Sequence, residues 1–131
     1  MKFRSLLPVL VLGGSAWLLP APLLLGQTGS TVPKTVLASF YSPRFDGRLT
    51  ASGERFNSNA LTAAHRELPF GTKVKLTNVT NQKSVVVRVN DRGPNVKGRE
   101  ISVTRLAARR LGFTKAGTAQ VAMEIVESGR R

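Results

Sequence analysis

The apolar residues of this chain recur in short alternating runs punctuated by Gly, Pro and Asn, the pattern of a protein built mainly from β-strands. Val36 to Tyr41 reads as a first strand, stopped at Ser42-Pro43. Arg44 to Asn59 is polar, carries Gly47 and Gly53, and has no period, which predicts a long loop. A short small-residue segment, Leu61 to His65, runs into the turn residues Leu68-Pro69-Phe70-Gly71-Thr72. Lys73 to Val79 alternates charged and apolar positions, as a half-exposed strand does, and Thr80 to Lys83 turns it back into Ser84 to Asn90.

That last run, with Val85-Val86-Val87-Arg88-Val89 at its centre, meets Asp91-Arg92-Gly93-Pro94, where the strand must break. Asp91 therefore stands at an elbow between a rigid strand and a loop, a place that can aim a carboxylate into a groove. Arg99 to Val103 reads as a further crossing. Thr104 is then a natural N-cap for a helix over Arg105–Leu111, closed by Gly112, with one apolar and one basic face. Val121, Met123 and Ile125 alternate with their neighbours in a closing strand. Many short strands with one or two small helices predict a mostly β, compact barrel over residues 34–127. A polar linker over 27–33 precedes it and a basic tail over 128–131 follows.

The first 26 residues differ from the rest. Met1 to Ser5 is a short positive start, and Leu6 to Leu25 is apolar with Pro8, Pro20 and Pro22 inside it. This layout predicts a secretory signal peptide, or a retained membrane anchor, and an exported barrel in the periplasm or cell envelope. The chain has no Cys, so no disulfide and no lipidated cysteine is expected.

Of the 20 basic residues Lys2 and Arg4 fall in the leader, leaving 18 against 7 acidic ones, a net charge of +11. Such a charge favours anionic partners. For an exported chain these are the anionic wall and outer membrane surface rather than nucleic acid, for which an aromatic stacking series is missing; a merely solvated basic surface explains the charge equally well. With no Cys and a single His, a zinc site, another metal centre or a Cys–His nucleophile is not expected, and no phosphate-binding glycine motif calls for a cofactor. What remains is acid–base chemistry by carboxylates, as in glycosidic bond cleavage. Glu124 faces outward and Glu127 stands where the barrel gives way to the tail, so both read as solvation. Asp91 suits either a catalytic carboxylate or turn chemistry. Glu54, in Thr50-Ala51-Ser52-Gly53-Glu54-Arg55-Phe56, and His65 each leave a functional and a purely structural role open.

The segments TASGERF, LTAAHRELP and VNDRGP, in this order, resemble the double-psi β-barrel domain of the rare lipoprotein A family, exported septal peptidoglycan lytic transglycosylases. The resemblance covers essentially the whole barrel. It implies a six-stranded barrel with a shallow groove, in which Glu54, His65 and Asp91 occupy the positions of the family's groove residues. It implies cleavage between N-acetylmuramic acid and N-acetylglucosamine in glycan strands stripped of stem peptides, leaving a 1,6-anhydro end. Asp91 is the expected essential carboxylate, with Glu54 and His65 orienting substrate or tuning protonation. Arg48 and Arg92 are candidates to hold sugar or lactyl oxygens. The expected partner is the glycan strand, met by a monomer, with the membrane involved only if the leader is retained.

One departure bears on the chemistry. Related barrels carry a second Asp eleven residues after the elbow Asp, and here Ser102 holds that position. A hydroxyl cannot serve as a general acid as a carboxyl can. Glu100 lies two residues earlier, on the same face of an ideal strand, and is the nearest substitute. The rival expectation is a non-catalytic, expansin-like module that binds or loosens the wall.

Overall fold

A computed structural model describes residues 31–130. The leader expected over 1–26 lies outside the described residues, as does most of the linker. Among the described residues no helix is long and apolar enough to cross a membrane.

Six strands close into a barrel: β1 (Lys34–Phe40), β2 (Thr62–His65), β3 (Lys73–Asn78), β4 (Ser84–Asp91), β5 (Ile101–Val103) and β6 (Thr118–Glu127). One helix, α1 (Arg105–Leu111), lies between β5 and β6. Around the barrel the order is β1-β5-β2-β4-β3-β6. The β1/β5 and β2/β4 pairs are parallel and the others antiparallel. The mostly β barrel with one short helix is the architecture the alternating pattern predicts.

Alternation decides which side chains fill the interior. Val74 and Leu76 of β3, Val85 and Val87 of β4, and Val121 and Met123 of β6 point inward. They meet Ala38, Ala63, Ile101 and Val103 from the other strands, and Ala107, Ala108 and Leu111 of α1. Helix α1 begins where sequence places it: the Thr104 hydroxyl accepts from the Ala107 amide at 3.3 Å and also donates to the Ala60 carbonyl. Gly112 ends it in the left-handed region, φ 79°, where a Cβ is disfavoured.

The long loop is more ordered than its composition suggests. Pro43–Phe45 forms a 3-10 turn, and Leu49 bridges Arg55 across a bend at Gly53, whose φ is 92°. At the other end of the barrel, the Thr31 amide and hydroxyl bond Ile125 of β6, so the last linker residues follow the barrel wall.

One irregularity sets the site. In the parallel β2/β4 pair Ala63 faces Val89, but Ala64 faces Asp91, so Asn90 is an extra residue on β4. Strict alternation would turn Asp91 inward like Val87 and Val89. The bulge reverses its direction and places it beside Ala64 on the outer face. Ala64 in turn pairs with Ser102, and Ser102 with Ser39. A row Ser39–Ser102–Ala64–Asp91 thus crosses four strands, and its small side chains leave a trough.

The burial pattern predicts a sharp contrast in stability. Leu76 is fully enclosed and Val86 on β4 is 44% exposed. In urea unfolding at 25 °C, Leu76→Ala should cost about 2–5 kcal/mol. Val86→Ala should cost roughly 0.5 kcal/mol or less, as surface changes do. Equal costs would contradict the barrel register.

Candidate active site

Two adjoining hollows lie along the Ser39–Asp91 row. One is lined by Tyr41, Phe45, Arg48, Leu49, Thr50, Phe56 and Asp91. The other includes Ser39, Ala64, Ser102, Arg92 and Arg99, and shares Tyr41 and Phe45 with the first. Together they form an open groove whose shared floor is aromatic. Tyr41 stacks against Phe56 with ring centroids 4.6 Å apart and meets Phe45 edge-on at 6.4 Å.

Asp91 is the one carboxylate lining this groove. Its Oδ1 accepts the Ala51 amide at 2.9 Å and the Arg92 amide at 2.8 Å. Its Oδ2 accepts the Tyr41 hydroxyl at 2.8 Å, so Oδ2 carries one hydrogen bond where Oδ1 carries two. Burial raises the Tyr41 pKa far above its ordinary value, and the Asp91 hydrogen bond and charge raise it further. Tyr41 therefore remains a donor throughout the physiological range. The residue pattern marks Tyr41 only as the end of a strand; its place one residue beyond β1, on the face opposite Phe40, is the signal that it joins the groove.

The other expected residues divide into separate groups. Arg48 lines the groove with its guanidinium 5.3 Å from the Phe45 ring centroid. Arg92 also borders it, but its guanidinium donates to the carbonyls of His65 and Leu68 and stacks 3.9 Å from the Phe70 centroid. Ser102 is buried in the groove floor. Glu54 lines neither hollow. It pairs bidentately with Arg88 at 2.7 and 2.9 Å and accepts Asn90 Nδ2 at 3.1 Å. The Arg88 and Asn90 hydrogen bonds hold its pKa below the ordinary carboxylate range.

His65 and Glu100 meet elsewhere, in a hollow shared with Lys34, Glu67 and Met123. His65 Nδ1 accepts the amides of Glu67 and Leu68 at 3.1 and 3.2 Å. That fixes the proton on Nε2, which donates to Glu100 Oε2 at 3.3 Å. Burial pushes the His65 pKa down, with Glu100 opposing. Burial alone would raise Glu100, but its bonds to Lys34 and His65 hold it low. Although Glu100 precedes Ser102 by two residues, it lines this second hollow and not the groove. Among the described residues no group of three or more His, Cys, Asp or Glu could hold a metal.

A closed six-stranded barrel in the order β1-β5-β2-β4-β3-β6, with β1/β5 and β2/β4 parallel, belongs to the double-psi β-barrel class. A family model described as lytic transglycolase matches residues 34–123. The probable endolytic peptidoglycan transglycosylase RlpA of Synechocystis is 59% identical over 91 residues, covering 70% of this chain and 28% of that protein. The endolytic peptidoglycan transglycosylase RlpA of Pasteurella multocida is 48% identical over 95 residues, 72% of this chain and 32% of that protein. Among solved structures, apo expansin from Clavibacter michiganensis shares the fold, with a TM-score of 0.60 at 17% identity over 76% of this chain and 52% of that one. The chain belongs to the RlpA family. It spans about a third of the length of these curated relatives.

His65 is the only histidine in the chain, so its titration can be isolated. Its folded pKa lies below the ordinary 6.5. As pH falls below 6.5 the unfolded chain takes up the proton first, and stability is lost until the folded value is passed. The thermal unfolding midpoint should be level near neutral pH and begin to fall as the pH drops through about 6.5, before the window in which Glu54 and Glu100 titrate. His65→Asn, which keeps an acceptor for the two amides, should flatten that fall. A level wild-type curve to pH 5 would contradict the buried neutral imidazole.

Proposed function

We propose that the groove binds peptidoglycan glycan strands and that Asp91 cleaves the bond between N-acetylmuramic acid and N-acetylglucosamine, leaving a 1,6-anhydro end. The observation that carries this reading is the isolation of Asp91: one carboxylate, oriented by three donors, over an aromatic floor suited to sugar faces. The relatives named as endolytic peptidoglycan transglycosylases supply the reaction class.

A single carboxyl suffices because the substrate provides its own nucleophile. Asp91 in its acid form gives a proton to the bridging oxygen as the C1–O bond breaks. The resulting carboxylate takes the proton of the muramic C6 hydroxyl as that oxygen bonds to C1. No water has to be held, and hydroxyl and amide donors around Asp91 stabilise its charged form between the two transfers. Tyr41 and Phe45 line the groove where the sugars would lie, and Arg48 borders it as a donor for lactyl or sugar oxygens. Export to the cell envelope follows from the substrate. The basic face of α1, with Arg105, Arg109 and Arg110 exposed, suits anionic wall polymers. A barrel with no open strand edge suits a monomer.

Ser102 favours a second reading, a module that binds glycan without cutting it. Ser102 and Asp91 are separated only by Ala64, so their backbones lie two strand spacings apart, roughly 10 Å. An Asp at 102 would flank a glycosidic bond from the side opposite Asp91, and the serine cannot replace its proton. Purified barrel incubated with stem-free peptidoglycan should release 1,6-anhydro products detectable by mass spectrometry. Asp91→Asn should abolish them, and Ser102→Asp should raise their rate. Binding without products in all three proteins would establish the second reading.

A further inference from the structure

Two segments that are distant in sequence meet residue by residue at the elbow. The Ala51 amide donates to Asp91 Oδ1 at 2.9 Å, and the Ser52 amide to the Asn90 carbonyl at 3.3 Å. Gly53, with φ 92°, turns the loop so that Glu54 reaches back over the strand. There its Oε1 accepts Asn90 Nδ2 and Arg88 Nη2, and its Oε2 accepts Arg88 Nη1. Asn90 is the extra residue of the bulge, and its side chain is buried. Arg88 is two residues before it on β4 and also lies outside the groove, in a hollow with Leu61, Lys73, Val86 and Val87.

We propose that Glu54 and Arg88 are positioning residues: a clasp that holds the Asn90 bulge and so fixes the direction of Asp91, without touching the glycan. The fork of Arg88 occupies both carboxylate oxygens of Glu54, and Asn90 takes a further lone pair. A carboxylate so engaged, off the groove, is not available to a glycosidic oxygen. Loss of the clasp lets the loop over 50–54 lift, and the Ala51 amide leaves Asp91 with it. The effect of the clasp on turnover rests on Asp91 being the reacting group.

Hydrogen exchange and a charge swap test it. The Ala51 and Ser52 amides should exchange faster in Glu54→Gln and in Arg88→Gln than in wild type, with little change in the amides of β3. Unchanged exchange overturns the clasp whatever the activity shows. In product release, Glu54→Arg and Arg88→Glu should each lose on the order of ten- to a hundredfold in kcat with KM held within about twofold, as a misaimed reacting group does. The double variant, Glu54→Arg with Arg88→Glu, should recover most of that loss. A folded double variant no better than Glu54→Arg overturns the proposal, because a substrate-touching acid is not rescued by reversing its partner. If wild type releases no product while exchange still responds, the reading of Asp91 fails and the clasp stands.

Discussion

One inserted residue, Asn90, determines where the only groove carboxylate points. Without the bulge, β4 would continue its alternation and Asp91 would face the apolar interior with Val87 and Val89, where an unpaired charge is costly. With it, Asp91 joins the outer row that runs through Ala64 and Ser102 to Ser39. Bulges in parallel pairs are rare, and this one is held from both sides. The loop over 50–54 covers it from one side. From the other, Arg92 ties the elbow to the His65 and Leu68 carbonyls, and Arg66 donates to the Pro94 and Arg99 carbonyls.

The strong positive balance makes this arrangement economical with acids. Asp46 caps Ser58 through both its amide and hydroxyl, Glu54 takes Arg88, Glu100 takes Lys34 and His65, and Glu127 takes Lys73. Asp91 alone has its carboxylate in the groove, and its donors there are a phenol and two amides. That division separates the carboxylates tied to neighbouring loop and strand groups from the one that lines the groove. His65 is tied in the same way, since every ring nitrogen is engaged with its own loop or with Glu100.

The barrel was legible because its strands obey a two-residue period and its helix carries Thr104 and Gly112 as caps. Asp91 was legible as the carboxylate where a strand breaks. The partition of the site was not. Glu54, His65 and Asp91 sit in three motifs of equal prominence, and nothing in the residue pattern says that Asp91 lines the groove while Glu54 pairs with Arg88 and His65 lines another hollow. That outcome depends on the bulge, which a run of valines ending in Asn-Asp does not announce. Tyr41 was missed for a related reason: its hydroxyl is fifty residues from its partner, and only barrel closure brings β1 and β4 ends together. Glu100 shows the converse, for strand period placed it beside Ser102, while its bonds to Lys34 and His65 draw it to another hollow.

The most direct test is a structure of the Asp91→Asn protein bound to a muramic acid-containing tetrasaccharide. The sugar should lie across Tyr41 and Phe45, with the bridging oxygen within hydrogen-bond reach of the residue 91 side chain and no contact to Glu54. A glycan bound instead against Glu54 and Arg88, or in the hollow of His65 and Glu100, would contradict the account.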